Sequence, residues 1–192
     1  CTAGGPDFAR LAPKYGIRPV IGIDFRDGAT QQFLGIARDH DGYEQLCNFL
    51  SELMQANLAG KPLQIPNRAP ALEGVIWVYP WARRTESSPP WQQPSGLRDD
   101  ECVGVRPDDL GDLRLALQRD PEDSPVNRMI ALHSSSFRHK RDHNAHRLLR
   151  AIDNNTLLSK LPDNQVAPDT DRWIQVGELE RVYSEFPWPG KL

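Results

Sequence analysis

Short apolar runs that alternate with amphipathic segments are the feature that most restricts what this chain can fold into. The runs are rich in β-branched residues and bounded by Gly, Pro and Asp, which is typical of buried strands. In the segments between them apolar residues recur with helical spacing, most clearly across residues 41–58. Because strands that alternate with helices pack as a largely parallel sheet or barrel, we expect an α/β fold. The predicted strands are residues 17–25, 30–37, 74–79, 102–105 and 129–132, with a further short strand at 173–174. A turn is predicted at Asp27-Gly28, between the first two strands.

Size and charge exclude several classes of protein. With 192 residues the chain is long enough for one hydrophobic core, and a single domain is expected over residues 1–192. The net charge of -3 provides no overall attraction to nucleic acid or to a membrane surface. No apolar run approaches the roughly 20 residues that span a bilayer, and 3 cysteines are too few for a disulfide framework. We therefore expect a soluble, cytoplasmic protein without a membrane partner.

Two further features concern the organisation of the chain. It opens on Cys-Thr-Ala-Gly-Gly without an initiator methionine, from which we expect a fragment of a longer protein. Residues 82–100 have no periodicity and are rich in Pro, Ser, Arg and Gln, which predicts a variable loop insertion.

An apolar run, a serine turn and a basic, histidine-rich segment with helical spacing follow one another between residues 129 and 152. Four of the 5 histidines of the chain lie here. A strand, a polar turn and a helix in this order present a site at the C-terminal end of a strand in α/β enzymes. Asp24, predicted to lie at the end of the strand 17–25, is a candidate of the same kind, although an Asp there often only caps a turn.

The residues of this segment leave several interpretations open. His139, His143 and His146 have the spacing i, i+4, i+7, and on one continuous helix they could bind zinc together. If Asp142 is the N-cap, His139 lies outside the helix and the face is a solvated one. The serines at 134–136 lack a nucleophile elbow, which favours a simple turn. A basic patch that could contact nucleic-acid phosphates consists of Arg138, Lys140, Arg141 and Arg147.

Four stretches in the same order resemble one protein family. Residues 15–25 (YGIRPVIGIDF) are similar to a segment AGIKPIIGxE, and residues 33–46 (FLGIARDHDGYEQL) are similar to HLVLLAKNEEGYRNL. Residues 129–146 align without gaps to LVATNDVHYLRREDAEAH, and residues 173–186 resemble FYLKSPEEMAELF. These segments are those of the PHP (polymerase and histidinol phosphatase) domain of bacterial DNA polymerase III α subunits.

The resemblance covers nearly the whole chain except residues 60–100, and residues 151–161 look like the divergent α subunits of Bacteroidetes-type bacteria. It implies a distorted, seven-stranded β/α barrel similar to a TIM barrel, here a partial one whose first strands precede Cys1. In intact family members His, Asp and Glu ligands hold up to three metal ions, and some members hydrolyse 3′–5′ phosphodiesters.

The metal ligands that the resemblance implies are poorly matched in this chain. A first His-x-His motif and a Thr-Asp motif are expected before Cys1. The family's Glu falls on Asp24, a vestigial ligand position, and a family His falls on Gln32 or Phe33. The late Asp-x-His pair falls on Ser134 and Ser136. A neutral hydroxyl is a poor substitute for a carboxylate or an imidazole around such cations, so a degenerate metal site is expected.

The expected function is therefore that of a structural, metal-free fragment without catalytic residues or a cofactor of its own. Its parent would be a DNA-directed DNA polymerase, a nucleotidyltransferase of DNA replication whose palm aspartates lie beyond the end of this chain. The expected partners are the remainder of the α subunit, DNA through the parent enzyme and other replicase subunits.

Two alternatives remain at this stage. The first is an active PHP phosphoesterase or 3′–5′ exonuclease that binds zinc, manganese or magnesium. Its ligands would be Asp24 with some of His133, His139, His143 and His146, although His133 and His139 are off register by one and three positions. The second alternative is a DNA- or subunit-binding module that uses the basic patch.

Overall fold

A computed structural model describes residues 4–58, 64–82, 96–119, 126–139 and 141–186. The fold is mixed α/β, and in these ranges five strands form one open sheet in the order β1-β2-β3-β4-β5. The strands are β1 (Gly22–Asp27), β2 (Thr30–Ala37), β3 (Val75–Pro80), β4 (Glu101–Val105) and β5 (Met129–Ala131). The α-helices are α1 (Gly5–Leu11), α2 (His40–Leu58), α3 (Leu110–Arg119), α4 (Asp142–Asp153) and α5 (Val176–Ser184).

The direction of the strands differs between the two halves of the sheet. β4 and β5 are parallel, with Val103 opposite Met129, whereas β2 and β3 are antiparallel, with Leu34 opposite Val78. β1 and β2 are joined by a two-residue turn whose Gly28 has φ +61°, and so short a connection joins only antiparallel strands. The α/β class is confirmed, but the expectation of a largely parallel sheet is wrong for β1 to β3.

The first predicted strand is displaced along the chain. Its expected span was 17–25, whereas β1 begins at Gly22 and continues to Asp27. Gly16 ends the preceding 3₁₀ turn in the left-handed region, and Pro19 has no N–H to donate to a strand ladder. Asp24 is consequently the third residue of β1, so its expected place at the end of the strand is wrong.

The chain divides into two compact units. The first unit comprises the described parts of residues 1–26, 31–79 and 98–102, and its core is aromatic. Phe25, Phe33, Phe49 and Trp77 pack with ring centroids 5.0 to 6.2 Å apart, and Leu46 of α2 is fully buried. Alternation of buried and exposed residues along β1 directs Phe25 into this core.

The second unit comprises the described parts of residues 27–30, 80–97 and 103–192. Its core contains Val105, Leu113 and Phe186. The hydroxyl of Tyr183 on α5 donates to the carbonyl oxygen of Val105 and lies 3.3 Å from that of Leu132. Burial raises the pKa of this hydroxyl to about 12. Tyr183 thereby attaches α5 to the ends of β4 and β5, where the candidate site begins.

Within the described ranges, none of the helices combines the length and the apolar character needed to cross a bilayer. The predicted loop insertion at 82–100 falls mainly on residues 83–95, which lie outside the described residues.

Candidate functional site

The segment that follows β5 is bound to residues 171–173 through the main chain. The N–H of Ser136 donates to the carbonyl oxygen of Asp171 at 2.8 Å, and the N–H of Trp173 donates to that of Phe137 at 2.9 Å. Phe137 and Arg172 form an isolated parallel bridge, so the short strand predicted at 173–174 is reduced to this pairing. These bonds therefore fix the backbone of the two segments relative to each other.

A cleft of about 460 Å³ opens between these two segments. It is lined by Ser135, Ser136, Phe137, Arg138 and Trp173. The indole of Trp173 is 54% exposed, and Arg138 is also exposed. Among the described residues, Arg138 has no hydrogen-bond or ion-pair partner. The cleft thus combines two hydroxyls, one cation and an aromatic surface.

The histidines of α4 bind the main chain of a neighbouring loop. Nε2–H of His143 donates to the carbonyl oxygen of Ala167 at 2.9 Å, while Nε2 of His146 accepts the N–H of the same residue at 3.0 Å. Their rings are stacked with centroids 6.3 Å apart, and Phe137 packs against both. Since Nε2 of His146 accepts, its ring proton is on Nδ1. Two imidazoles thus satisfy both polar groups of Ala167, which is only 2% exposed.

The start of α4 separates the third histidine from these two. Arg141 is the N-cap residue, and Asp142 is the first residue of the helix, so the assignment of Asp142 as N-cap is off by one position. The Asp142 carboxylate accepts the main-chain N–H of His139 at 2.9 Å. His139 lies before the helix and is exposed. The continuous face of three histidines that the zinc interpretation requires is therefore not formed.

The fourth histidine of the segment also has a main-chain partner. Nε2–H of His133 donates to the carbonyl oxygen of Arg172 at 2.8 Å. This bond adds a third link between the β5 segment and residues 171–173.

The predicted metal positions fall in different environments. In the first unit, Asp24 accepts hydrogen bonds from Nε of Arg26 at 2.6 Å and from the amide of Gln31 at 2.9 Å. In the second unit, Ser134 is half-buried and Ser136 is exposed. No group of three His, Cys, Asp or Glu side chains placed to hold a metal ion occurs in the described ranges.

The described residues of the predicted basic patch lie in different environments. Arg138 lines the cleft, whereas Arg141 is highly exposed and its Nε lies 3.7 Å from the Asp142 carboxylate. Arg147 is half-buried on α4. Lys140 lies outside the described residues.

A buried carboxylate in the first unit was not predicted. Glu101, at the start of β4, is fully buried and binds Arg68 through two hydrogen bonds. The hydroxyl of Tyr79 donates to it at 3.0 Å, and the main-chain N–H of Arg98 donates at 2.7 Å. Burial alone would raise the pKa of the Glu101 carboxyl, but Arg68, the Arg98 N–H and Tyr79 together hold it below its usual value. These partners account for both oxygens of the Glu101 carboxylate, which indicates a structural role.

Trp173 was also missed as a site residue. The sequence predicted only a short strand at 173–174, since a buried and an exposed Trp look alike in a short apolar run. No protein-family model and no curated protein matches this chain.

Proposed function

We propose that the chain is a non-catalytic, structural part of a PHP-like domain in a DNA polymerase III α subunit. The four resembling segments, in their family order, support this proposal. The open, mixed α/β sheet would form part of a distorted seven-stranded β/α barrel. The antiparallel β2–β3 pair departs from a regular parallel barrel, so the proposal depends on the segments rather than on the sheet.

The observation that carries the non-catalytic part of the proposal is the use of polar side chains after β5. Ser134 and Ser136 stand where the family has an Asp-x-His pair, and hydroxyls are weak ligands for zinc, manganese or magnesium. The neighbouring imidazoles use Nε2 for main-chain hydrogen bonds that hold the loops together. In this proposal the polar side chains after β5 hold neighbouring loops together instead of binding metal ions.

An apolar surface on α4 supports a role in assembly. Leu148, Leu149 and Ile152 are 52%, 65% and 66% exposed, and Leu157 just beyond the helix is 63% exposed. Contiguous apolar surface of this kind marks protein–protein contacts. In the proposed parent, the remainder of the α subunit covers this surface, while DNA and other replicase subunits contact the assembled enzyme.

Metal analysis of the purified chain tests the loss of metal chemistry. After incubation with zinc or manganese and desalting, we expect a metal-to-protein ratio far below one. We also expect no 3′–5′ exonuclease activity on single-stranded DNA. Stoichiometric metal that is lost in Asp24→Ala would overturn the proposal in favour of an active metal-dependent phosphoesterase.

A restored variant provides the matched control. Ser134→Asp combined with Ser136→His returns the family's donor pair to the end of β5, and we expect it to bind zinc more tightly than the unchanged chain. Equal metal content in both proteins would contradict the assignment of Ser134 and Ser136 to ligand positions.

The assignment of the parent to a DNA polymerase III α subunit is tested separately, through the size and the peptides of the full-length protein. Antibodies raised against this chain should capture, from the source cells, a much longer polypeptide whose tryptic peptides include a polymerase palm. Capture of a polypeptide without polymerase peptides would overturn the assignment to an α subunit.

A further inference from the structure

We propose that the cleft lined by residues 135–138 and Trp173 binds a nucleoside monophosphate unit. In this arrangement the base stacks on the indole of Trp173 and the phosphate is bound by Arg138 with the hydroxyls of Ser135 and Ser136. The unit is either a free nucleotide or one residue of a single-stranded nucleic acid, since the recognised chemistry is the same. This goes beyond the proposed function, because a structural domain without metal requires no such site.

The aromatic half of the site is the exposed face of Trp173. A tryptophan that is 54% exposed leaves a large apolar surface in water, whereas Trp77 in the first unit is fully buried. The main-chain bond from the Trp173 N–H to Phe137 fixes the backbone that carries the indole. An exposed indole on a fixed backbone is a stacking surface for any nucleobase.

The phosphate half of the site is Arg138 and the serine turn. Within the described ranges the Arg138 guanidinium makes no hydrogen bond or ion pair, and the same holds for the hydroxyls of Ser135 and Ser136. A guanidinium and two hydroxyls are donors that match phosphate oxygens.

The acidic side chains that lie within a few residues of the cleft lining along the chain have partners of their own. Glu178 pairs with Arg172 at 3.3 Å, and Asp142 accepts the N–H of His139. Asp171 is buried and also has an interaction partner. Arg138 is therefore the cation of the cleft lining that remains available to an anion.

The cleft also has a suitable size and rigidity. Its volume of about 460 Å³ lies within the range of pockets that take small ligands, roughly 300 to 1,000 Å³. Its two walls are joined by bonds at Ser136, Trp173 and His133. Such pre-organisation lowers the entropy that a ligand must overcome on binding.

Calorimetric titration of the purified chain tests the proposal. The probes are deoxyadenosine 5′-monophosphate, deoxyadenosine, inorganic phosphate and an oligothymidylate of about ten nucleotides. We expect the monophosphate to bind at least tenfold more tightly than the nucleoside or phosphate alone, because only it contacts both halves. No binding of either the monophosphate or the oligonucleotide at about 1 mM would overturn the proposal.

Three variants and one control variant locate the binding. Trp173→Ala and Arg138→Gln should each weaken binding about tenfold or more, and Trp173→Tyr should restore most of it because a phenol ring also stacks. Arg141→Gln is the matched control, since Arg141 belongs to the same basic segment but does not line the cleft. Binding that is weakened equally by Arg141→Gln, or that survives Trp173→Ala and Arg138→Gln, would overturn the proposal. Circular dichroism melts confirm that each variant is folded.

The two probe lengths distinguish the source of the ligand. If a free nucleotide is the ligand, the monophosphate and the oligonucleotide bind with similar affinity per site. If a nucleic-acid strand is the ligand, the oligonucleotide binds at least tenfold more tightly, and this excess decreases as salt is raised. Binding of either kind through Trp173 and Arg138 supports the proposal.

Discussion

Glu101 in the first unit and Arg138 in the second are both charged, but they differ in every respect that determines their role. Glu101 is fully buried and bound by Arg68, Tyr79 and the Arg98 main chain. Arg138 is exposed and, as far as the chain is described, has no charged or hydrogen-bonding partner. A buried charge must be neutralised within the protein, and removing a partner is costly. An exposed charge without a partner contributes little to folding and remains available for binding.

Replacement of Trp77 and of Trp173 should show the largest difference in stability between these regions. Trp77→Ala removes a fully buried ring from the aromatic core and should lower the free energy of unfolding by about 4 kcal/mol. Trp173→Ala removes a half-exposed ring and should cost about 0.5 kcal/mol or less. Urea denaturation followed by circular dichroism measures both. Similar losses in the two variants would show that the cleft is part of a core rather than an open surface.

Replacing the buried carboxylate should have the next largest effect. Glu101→Gln keeps the size of the side chain but leaves Arg68 without its counter-charge, and should cost about 3 kcal/mol. Because the folded-state pKa of Glu101 lies below its ordinary value of 4.5, its stabilisation is fully present above about pH 4.5 and is lost as the pH falls through the lower, folded-state value. Urea denaturation between about pH 3 and about pH 7, a range that spans the titration of carboxyl groups, measures both effects. A variant with the same acid sensitivity as the unchanged chain would contradict this role.

The histidine pair should have an intermediate effect. His146→Ala leaves the buried N–H of Ala167 without an acceptor and should cost about 1 to 2 kcal/mol. His139→Ala is the matched control, because this ring is exposed and precedes the helix; it should change stability by less than about 0.5 kcal/mol. Nitrogen-15 NMR of the imidazoles should show the Nδ1–H tautomer for His146. An Nε2–H tautomer would exclude the assigned hydrogen bond.

The exposed face of α4 should show the smallest effect on stability. Leu149→Glu places a charge on a side chain that is 65% exposed, so the free energy of unfolding should change by no more than about 0.5 kcal/mol. The same change should reduce self-association of the isolated chain, as measured by sedimentation velocity, because it interrupts an apolar surface. A large loss of stability would show that Leu149 belongs to a core.

Local patterns in the sequence were sufficient to predict most elements. The period of the apolar residues gave α2 to within one residue at its start, and the span predicted for β2, residues 30–37, is the one observed. The turn at Gly28 was also confirmed. These features depend on residues within one or two helical turns of each other, so the sequence contains their physical cause.

Tertiary structure alone decided the features on which the candidate site depends. Three features depend on partners far away in the chain. They are the place of Asp24 within β1, the antiparallel pairing among the first three strands and the exposure of Trp173. His143 and His146 bind Ala167, more than twenty residues away, and no local spacing predicts that partner. The sequence by itself determined the α/β class and most of the elements. Packing decided which polar side chains are bound within the protein and which remain available to a ligand. The reason is that burial and hydrogen-bond partners exist only once distant segments are in contact.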